Sequence, residues 1–200
     1  MDRRPLLLAL AALPLSIALP AAAQSVNAAP INAYLQQLRT AQGRFTQTNP
    51  DGSRQTGTFR LSKPGRIRFD YDSPKGALVV ADGNWVGVFD PKSNRNPTRY
   101  PLQNTPLQML LRDSISLAEP GLVLGATKDA RGTHITVVDP RAPKDGRLVM
   151  TFSENPIQLR EWEVISNTGQ RTKVALTELR TGGPIDRNLF SIELVAATYN

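Results

Sequence analysis

Residues 66–72 read Arg-Ile-Arg-Phe-Asp-Tyr-Asp, and this stretch decides the fold because charged and apolar side chains alternate with a period of two. Successive side chains of a strand point to opposite faces of a sheet, so the pattern predicts a strand with one polar and one apolar face. Ile67, Phe69 and Tyr71 share the apolar face. One solvated face is typical of antiparallel sheets.

Further strand-like segments lie on both sides of this stretch and are separated by turn residues such as Asp82-Gly83. Strands that recur about every eight to twelve residues predict a large antiparallel sheet that is curled or closed, so the fold class is mainly β with a few helices. The other predicted strands are residues 43–49, 54–62, 78–81, 84–89, 95–103, 122–126, 133–138, 147–152, 158–167 and 170–179.

Two segments have helical patterns. Residues 32–40 place Tyr34, Leu35 and Leu38 on one side and predict an amphipathic helix ended by Gly43. Residues 104–120 interrupt the strands with leucines at helical spacing, and a second short helix is predicted from Asp113 or Ser114. The pattern alone favours a helical plug on the open end of the sheet over a movable lid. The apolar residues of this segment are Leu107, Leu110, Leu111, Ile115 and Leu117.

The first 23 residues form a separate segment: a charged start, an almost wholly apolar run over residues 6–19, and small residues that end at Ala23. This order predicts a secretory signal peptide cleaved after Ala23. A retained anchor is the alternative, but about 14 residues span only about 21 Å, short of a hydrocarbon core of roughly 30 Å. We therefore expect residues 24–200 to form a single exported domain in a bacterial periplasm.

The composition excludes several kinds of chemistry. One histidine and no cysteine among 200 residues rule out disulfides, thiolate nucleophiles and sites with two imidazoles. His134 is expected on the polar face of a strand. Glu161 and Glu163 flank Trp162 and share one face of a strand. This spacing fits the carboxylate pair of a glycosidase, but it is equally typical of any solvated strand face. We expect no enzyme, no cofactor and no metal site.

The net charge of +7 does not indicate a nucleic-acid partner. The basic residues are scattered singly, and no aromatic cluster lies among them as a platform for stacked bases. We expect these charges to keep the outer face of the sheet soluble and to attract acidic surfaces such as lipid headgroups.

Several short motifs occur in a fixed order: Phe45-Thr46-Gln47, residues 57–72, 81–84, 89–91 and 104–107, and Asp186 with Phe190-Ser191-Ile192 as a last strand. Together they resemble the LolA family of periplasmic outer-membrane lipoprotein carriers over most of residues 32–193. The resemblance implies an unclosed β-barrel with a helical lid over an apolar cavity. It therefore implies that residues 104–120 are the lid rather than a plug.

The resemblance also implies a function and partners. The implied function is a chaperone that binds the acyl chains of lipoproteins released from the inner membrane and carries them to the outer membrane. The implied partners are acylated lipoproteins, an inner-membrane lipoprotein-releasing ABC transporter and an outer-membrane receptor lipoprotein, with the carrier itself a monomer. A periplasmic lipid-binding or sensor module of the same fold, without lipoprotein transfer, is the alternative.

Individual residues take roles by the same resemblance. Lys63, before Pro64, matches a basic residue that latches the lid; the family usually has arginine there, and lysine lacks its planar fork. A solvated lysine at a strand end is the alternative. The implied lid residues are the five apolar residues of 104–120. The resemblance also implies a lipid-binding cavity, and ordinary core packing is the alternative role for the residues that line it. The implied lipid-binding cavity is lined by Ile67, Phe69, Tyr71, Trp85, Phe89, Met150 and Phe152.

Overall fold

The computed structural model of the protein describes residues 26–93 and 96–199, so the predicted signal peptide lies outside the described residues. Its main element is an antiparallel sheet of eleven strands. The predicted strands are confirmed to within about three residues at their ends. The strands are β1 (Thr40–Thr48), β2 (Arg54–Ser62), β3 (Arg66–Tyr71), β4 (Leu78–Asp82), β5 (Trp85–Phe89), β6 (Thr98–Pro101), β7 (Val123–Asp129), β8 (Gly132–Val137), β9 (Gly146–Glu154), β10 (Ile157–Ser166) and β11 (Arg171–Thr181).

The order of the strands leaves the sheet unclosed. Strands β1 to β6 follow one another on one side, β11 back to β7 follow on the other, and β1 pairs with β11 between them. The sheet therefore ends at β6 and at β7. Residues 102–122 connect these two edge strands.

The sheet is strongly curled. Strands β3 and β10 are four strand spacings apart, which is about 19 Å along a flat sheet. Nevertheless the rings of Phe69 on β3 and Trp162 on β10 lie 6.1 Å apart between centroids. The apolar faces of the two halves therefore turn toward each other, and we call this inner side the concave face.

Helices lie over the concave face. Helix α1 (Ala29–Gln37) begins earlier than predicted and ends before β1, which starts at Thr40. Helix α2 is only Leu107–Leu111, because Arg112 adopts an extended backbone with φ −55° and ψ 147°. The second helix predicted from Asp113 or Ser114 is wrong: residues 112–120 form turns and irregular backbone.

The strand predicted by resemblance around Asp186 and Phe190-Ser191-Ile192 is also wrong, because a short 3-10 helix (Arg187–Phe190) and helix α3 (Ile192–Thr198) occupy that part of the chain. The Ser191 side chain accepts a hydrogen bond from Leu194 N and caps the helix. The buried side of α3 packs on the outer, convex face of the sheet. Its cluster consists of Leu78, Val80, Phe89, Phe190, Ile192 and Val195.

Candidate functional site

An aromatic cluster forms the centre of the concave face. Phe69 lies 5.0 Å from Phe45, 6.5 Å from Phe59 and 6.1 Å from Trp162, measured between ring centroids. Each such pair stabilises the fold by about 0.5–1.5 kcal/mol beyond the area it buries. Gly57 makes room for the cluster, since a Cβ atom there would lie 2.7 Å from Cε1 of Phe45.

Five of the seven predicted cavity residues lie on this face. Ile67, Phe69, Met150 and Phe152 are buried in one continuous hydrophobic core with the aromatic cluster. Tyr71 is half-buried against the same core. The structure thus brings together residues from both halves of the sheet.

The two other predicted cavity residues lie on the opposite face of β5. Trp85 has 44% of its surface exposed, and Phe89 packs in the convex cluster with its ring 5.0 Å from that of Tyr199. Val86 is the β5 residue that joins the concave core. The prediction that Trp85 and Phe89 line the cavity is wrong. Apolar residues occupy both faces of β5, so the sequence of β5 lacks the alternation of polar and apolar residues that predicts the orientation of β3.

Trp162, 1% exposed, is the main concave residue that the sequence-based list lacks. The signal was present, because Trp162 lies between Glu161 and Glu163, which must face the other side of β10. The two glutamates form ion pairs across the strands with Lys173 at 3.4 Å and Arg171 at 3.0 Å. Glu161 and Glu163 therefore lie on a solvated strand face, which is one of the two interpretations that their spacing allowed.

The sole histidine of the sequence also lies on the convex face. His134 Nδ1 lies 2.9 Å from the Thr151 hydroxyl, and Nε2 lies 2.8 Å from Asp129 Oδ1 with poor alignment for a hydrogen bond. The close contact with the His134 ring contributes most to holding the pKa of Asp129 low, at about 2. These contacts join β7, β8 and β9 side by side. Within the described ranges, no group of three or more His, Cys, Asp or Glu residues could hold a metal ion.

Residues 104–120, here called the cover segment, close the concave face. Leu110, Leu111 and Ile115 are at most 1% exposed, and Leu107 and Leu117 are half-buried against the same core. The five predicted lid residues therefore pack in the same hydrophobic core as the five predicted cavity residues that lie on the concave face. Helix α1 adds Ile31, Leu35 and Leu38 beside them.

Both ends of the cover segment are fixed to the sheet by main-chain hydrogen bonds. Leu102 N–H donates to Asn84 O at 2.8 Å, and Val138 N–H donates to Leu122 O at 2.9 Å. Between these points the segment contains one short helix and several turns.

Few polar bonds attach the middle of the cover segment to the rest of the protein. Gly65 N–H donates to Leu111 O at 2.8 Å, and Leu117 N–H donates to Asn32 Oδ1 at 2.8 Å. Gln108 Nε2 donates to Asp139 Oδ2 at 3.1 Å. Each of these hydrogen bonds contributes about 1 kcal/mol.

Of the two neighbouring basic residues Arg39 and Lys63, only Arg39 makes a side-chain hydrogen bond with the cover segment. Arg39 Nη1 donates to Asp113 Oδ1 at 2.6 Å and to Asp113 O at 2.9 Å. Lys63 is 8% exposed, and its Nζ has no hydrogen-bond partner among the described residues. The predicted latch, a hydrogen bond from Lys63 to the lid backbone, is therefore not formed in this structure, whereas Arg39 donates to both the carboxylate and the main-chain carbonyl of Asp113.

Burial is the largest influence on Lys63. It lowers the pKa of the ammonium to about 8, and the Arg39 charge lowers the pKa further, whereas Asp113 acts in the opposite direction. Burial likewise raises the pKa of Tyr71 to about 12, and the Tyr71 hydroxyl donates to Gln47 Oε1 at 2.8 Å. Lys63 is thus a charged group held at the edge of an apolar interior.

In the described part of the chain, no helix is both long enough and apolar enough to cross a membrane. The arrangement consists of a curled sheet, an apolar inner face and a weakly attached cover. It offers a surface that can hold apolar groups once the cover moves.

The chain is similar to several known proteins. A protein of Chromohalobacter salexigens named outer-membrane lipoprotein carrier protein is 28% identical over 190 residues, which cover 90% of this chain and 89% of that protein. A protein of the same name from Xylella fastidiosa is 32% identical over 158 residues, covering 74% and 75% of the two chains. The crystal structure of a LolA superfamily protein from Nitrosomonas europaea aligns with a TM-score of 0.41 at 12% identity, covering 84% of this chain and 98% of that one. The family described as "Outer membrane lipoprotein carrier protein LolA" matches residues 36–193, and the chain belongs to this family.

Proposed function

We propose that the protein is a periplasmic carrier that holds the acyl chains of lipoproteins on its concave face and carries them from the inner to the outer membrane. The observation that carries the proposal is the apolar concave face closed by a segment with few polar attachments. The names of the relatives support the choice of lipoproteins as cargo. The predicted signal peptide would export the chain to the compartment in which this transfer occurs.

Acyl chains and the cover segment compete for the same surface. Complete burial of a Leu or Ile side chain contributes about 1.5–3 kcal/mol, so Leu110, Leu111 and Ile115 together contribute roughly 5–9 kcal/mol. One acyl chain of about 15 methylene groups contributes about 12 kcal/mol when it leaves water. A bound acyl chain therefore outweighs the side chains that it displaces.

A carrier breaks and forms no covalent bond in its cargo, so we propose no catalytic residues. The free energy needed to extract acyl chains from a membrane is as large as the free energy gained when they are buried. The donor must therefore supply the free energy of extraction. We propose that an inner-membrane ABC transporter does so. An outer-membrane receptor lipoprotein would then accept the cargo.

Site-specific photo-crosslinking in the periplasm tests this function. A benzophenone amino acid replaces Tyr71 or Leu107, both half-buried at the concave face, and Trp85 on the opposite face serves as the matched control. We expect positions 71 and 107, and not position 85, to crosslink to acylated lipoproteins identified by mass spectrometry.

Other outcomes separate the competing functions. Crosslinks to free lipids without any lipoprotein would favour a lipid-binding or sensor module of the same fold. Equal crosslinking at positions 71, 107 and 85 would contradict a specific role for the concave face.

A further inference from the structure

Two basic residues lie side by side where the apolar surface of the concave face ends. In the pairing of β1 with β2, Ala41 lies opposite Leu61, and both side chains are buried in the concave core. Arg39 and Lys63 each lie two residues beyond this pair, and Lys63 N–H donates to Arg39 O at 2.8 Å. Both residues lie just outside β1 and β2, at the end of the concave face that Ala41 and Leu61 mark, and Lys63 is buried there.

This pair of cations has only partial compensation. Like charges directly opposite each other on neighbouring strands are unfavourable. Asp113 of the cover segment binds Arg39, but their side chains are 55% and 67% exposed, so water and other anions compete readily for this ion pair. The buried Lys63 Nζ has no hydrogen-bond partner in residues 26–93 and 96–199.

A group with one negative charge and several oxygens would satisfy both cations. Arginine binds phosphate and carboxylate groups through its planar fork, and lysine binds them as a point charge. With a pKa of about 8, Lys63 is still mainly protonated at neutral pH. An acyl chain on the concave face would place its headgroup at this end of the apolar surface if it ran toward Leu61.

We propose that Arg39 and Lys63 bind the anionic headgroup of a lipid whose acyl chain lies on the concave face, and that Asp113 occupies this site while the cover segment is closed. The inference rests on the proposed function only in requiring that the concave face accept acyl chains. The lipid class is a phospholipid or fatty acid with a phosphate or carboxylate headgroup. Binding of that headgroup displaces Asp113 and thereby releases one attachment of the cover segment.

Binding of two single-chain lipids with the same dibrominated acyl chain tests the site. One is a lysophosphatidylglycerol, which carries an anionic phosphate, and the other is a monoacylglycerol, which carries no charge. Both are titrated below the concentration at which they form micelles or other aggregates. The reporter is Trp162 fluorescence in the Trp85→Phe protein, since bromine quenches a tryptophan that it touches. We expect the anionic lipid to bind about tenfold more tightly than the uncharged lipid.

Three variants separate the headgroup site from the cover attachment. Lys63→Met should reduce the preference for the anionic lipid to less than about threefold. Asp113→Asn should tighten the binding of both lipids and keep their ratio, because it releases the cover without changing the cations. Lys173→Met, a lysine on the convex face, is the matched control and should change neither affinity.

The outcomes distinguish this inference from the proposed function. Equal binding of the two lipids to the protein with Lys63 intact would overturn the headgroup site and leave the concave face as the acyl-binding surface. Absence of quenching by either lipid would overturn both. Inorganic phosphate, added alone, should raise the melting temperature of this protein no more than it raises that of Lys63→Met. If phosphate raises the melting temperature of this protein as much as the lipid does, or more, it identifies a free-phosphate site and overturns the lipid assignment.

Discussion

The Arg39 guanidinium binds two oxygens of Asp113, the carboxylate at 2.6 Å and the main-chain carbonyl at 2.9 Å. Arg39 lies between α1 and β1, whereas Asp113 lies in the middle of the cover segment. Arg39 is thus one of the side chains that attach the cover to the rest of the fold, beside Asn32 and Asp139. Because both side chains of the Arg39–Asp113 pair are largely exposed, this ion pair contributes little to holding the cover in place.

Asp113→Asn should loosen the cover segment without unfolding the protein. Exposed ion pairs contribute about 0.2–1 kcal/mol, so the opening equilibrium should rise by up to about fivefold. Hydrogen exchange measured by mass spectrometry should show faster exchange in peptides that span residues 107–117.

Glu161→Gln provides the control for this prediction, since it removes the Lys173 ion pair from the convex face. It should leave exchange in residues 107–117 unchanged. Equal exchange in Asp113→Asn and the unchanged protein would show that the Arg39 contact does not restrain the cover.

Lys63→Met should stabilise the protein near neutral pH. The folded state lowers the pKa of Lys63 from 10.5 to about 8, so between these values the unfolded chain binds more protons than the folded one. Stability therefore rises with pH over this range, and the penalty of the buried charge is fully present below pH 8. Removal of the ammonium should raise the free energy of unfolding by on the order of 2 kcal/mol at pH 7.

Urea denaturation at pH 7 and pH 10 measures this effect. The difference between Lys63→Met and the unchanged protein should shrink as the pH rises. Tyr71, whose pKa burial raises to about 12, is present in both proteins, so its ionisation cancels in this difference. A difference that stays constant with pH would argue against a buried ammonium at Lys63.

Phe69→Ala and Trp85→Ala should differ strongly in their effects on stability. Phe69 is buried among three aromatic rings, so its truncation should cost about 3–5 kcal/mol. Trp85 is 44% exposed on the other face, so its truncation should cost less than about 1 kcal/mol. Chemical denaturation of the two variants checks this, and similar losses would contradict the assignment of the two faces of β5 and β3.

Ile192→Ala should destabilise the protein without affecting the concave face. Ile192 is buried on the convex side, in contact range of Gly87, where a Cβ atom would lie 3.2 Å from Cγ2 of Ile192. Loss of this packing should cost about 2–4 kcal/mol. Binding of an acyl chain, measured by quenching of Trp162, should remain within about twofold, and a large loss of binding would show that the two cores are coupled.

The sequence was most informative where one face of a strand is polar. Along β3 the alternation of Ile67 and Phe69 with arginine and aspartate predicted both the strand and its inward side. Along β5 the residues on both sides are apolar, because α3 covers the convex face there. Only the three-dimensional position of α3 decides that Phe89 faces outward.

The cover segment shows a second limit of sequence patterns. Asp113 and Ser114 are good helix-capping residues, and they predicted a helix that does not form. Asp113 instead binds Arg39, which is 74 residues away in the chain. Likewise, Arg39 and Lys63 are brought side by side at the paired ends of β1 and β2, and a motif around Lys63 does not contain this information.

The central claim, that acyl chains bind to the concave face, is tested most directly by tryptophan quenching. The protein has two tryptophans, Trp162 buried on the concave face and Trp85 exposed on the opposite side. A lysophosphatidylcholine with a dibrominated acyl chain is titrated into Trp85→Phe and Trp162→Phe, each of which keeps one reporter. We predict saturable quenching of Trp162 and little quenching of Trp85; quenching of Trp85 alone, or of neither tryptophan, would contradict the claim.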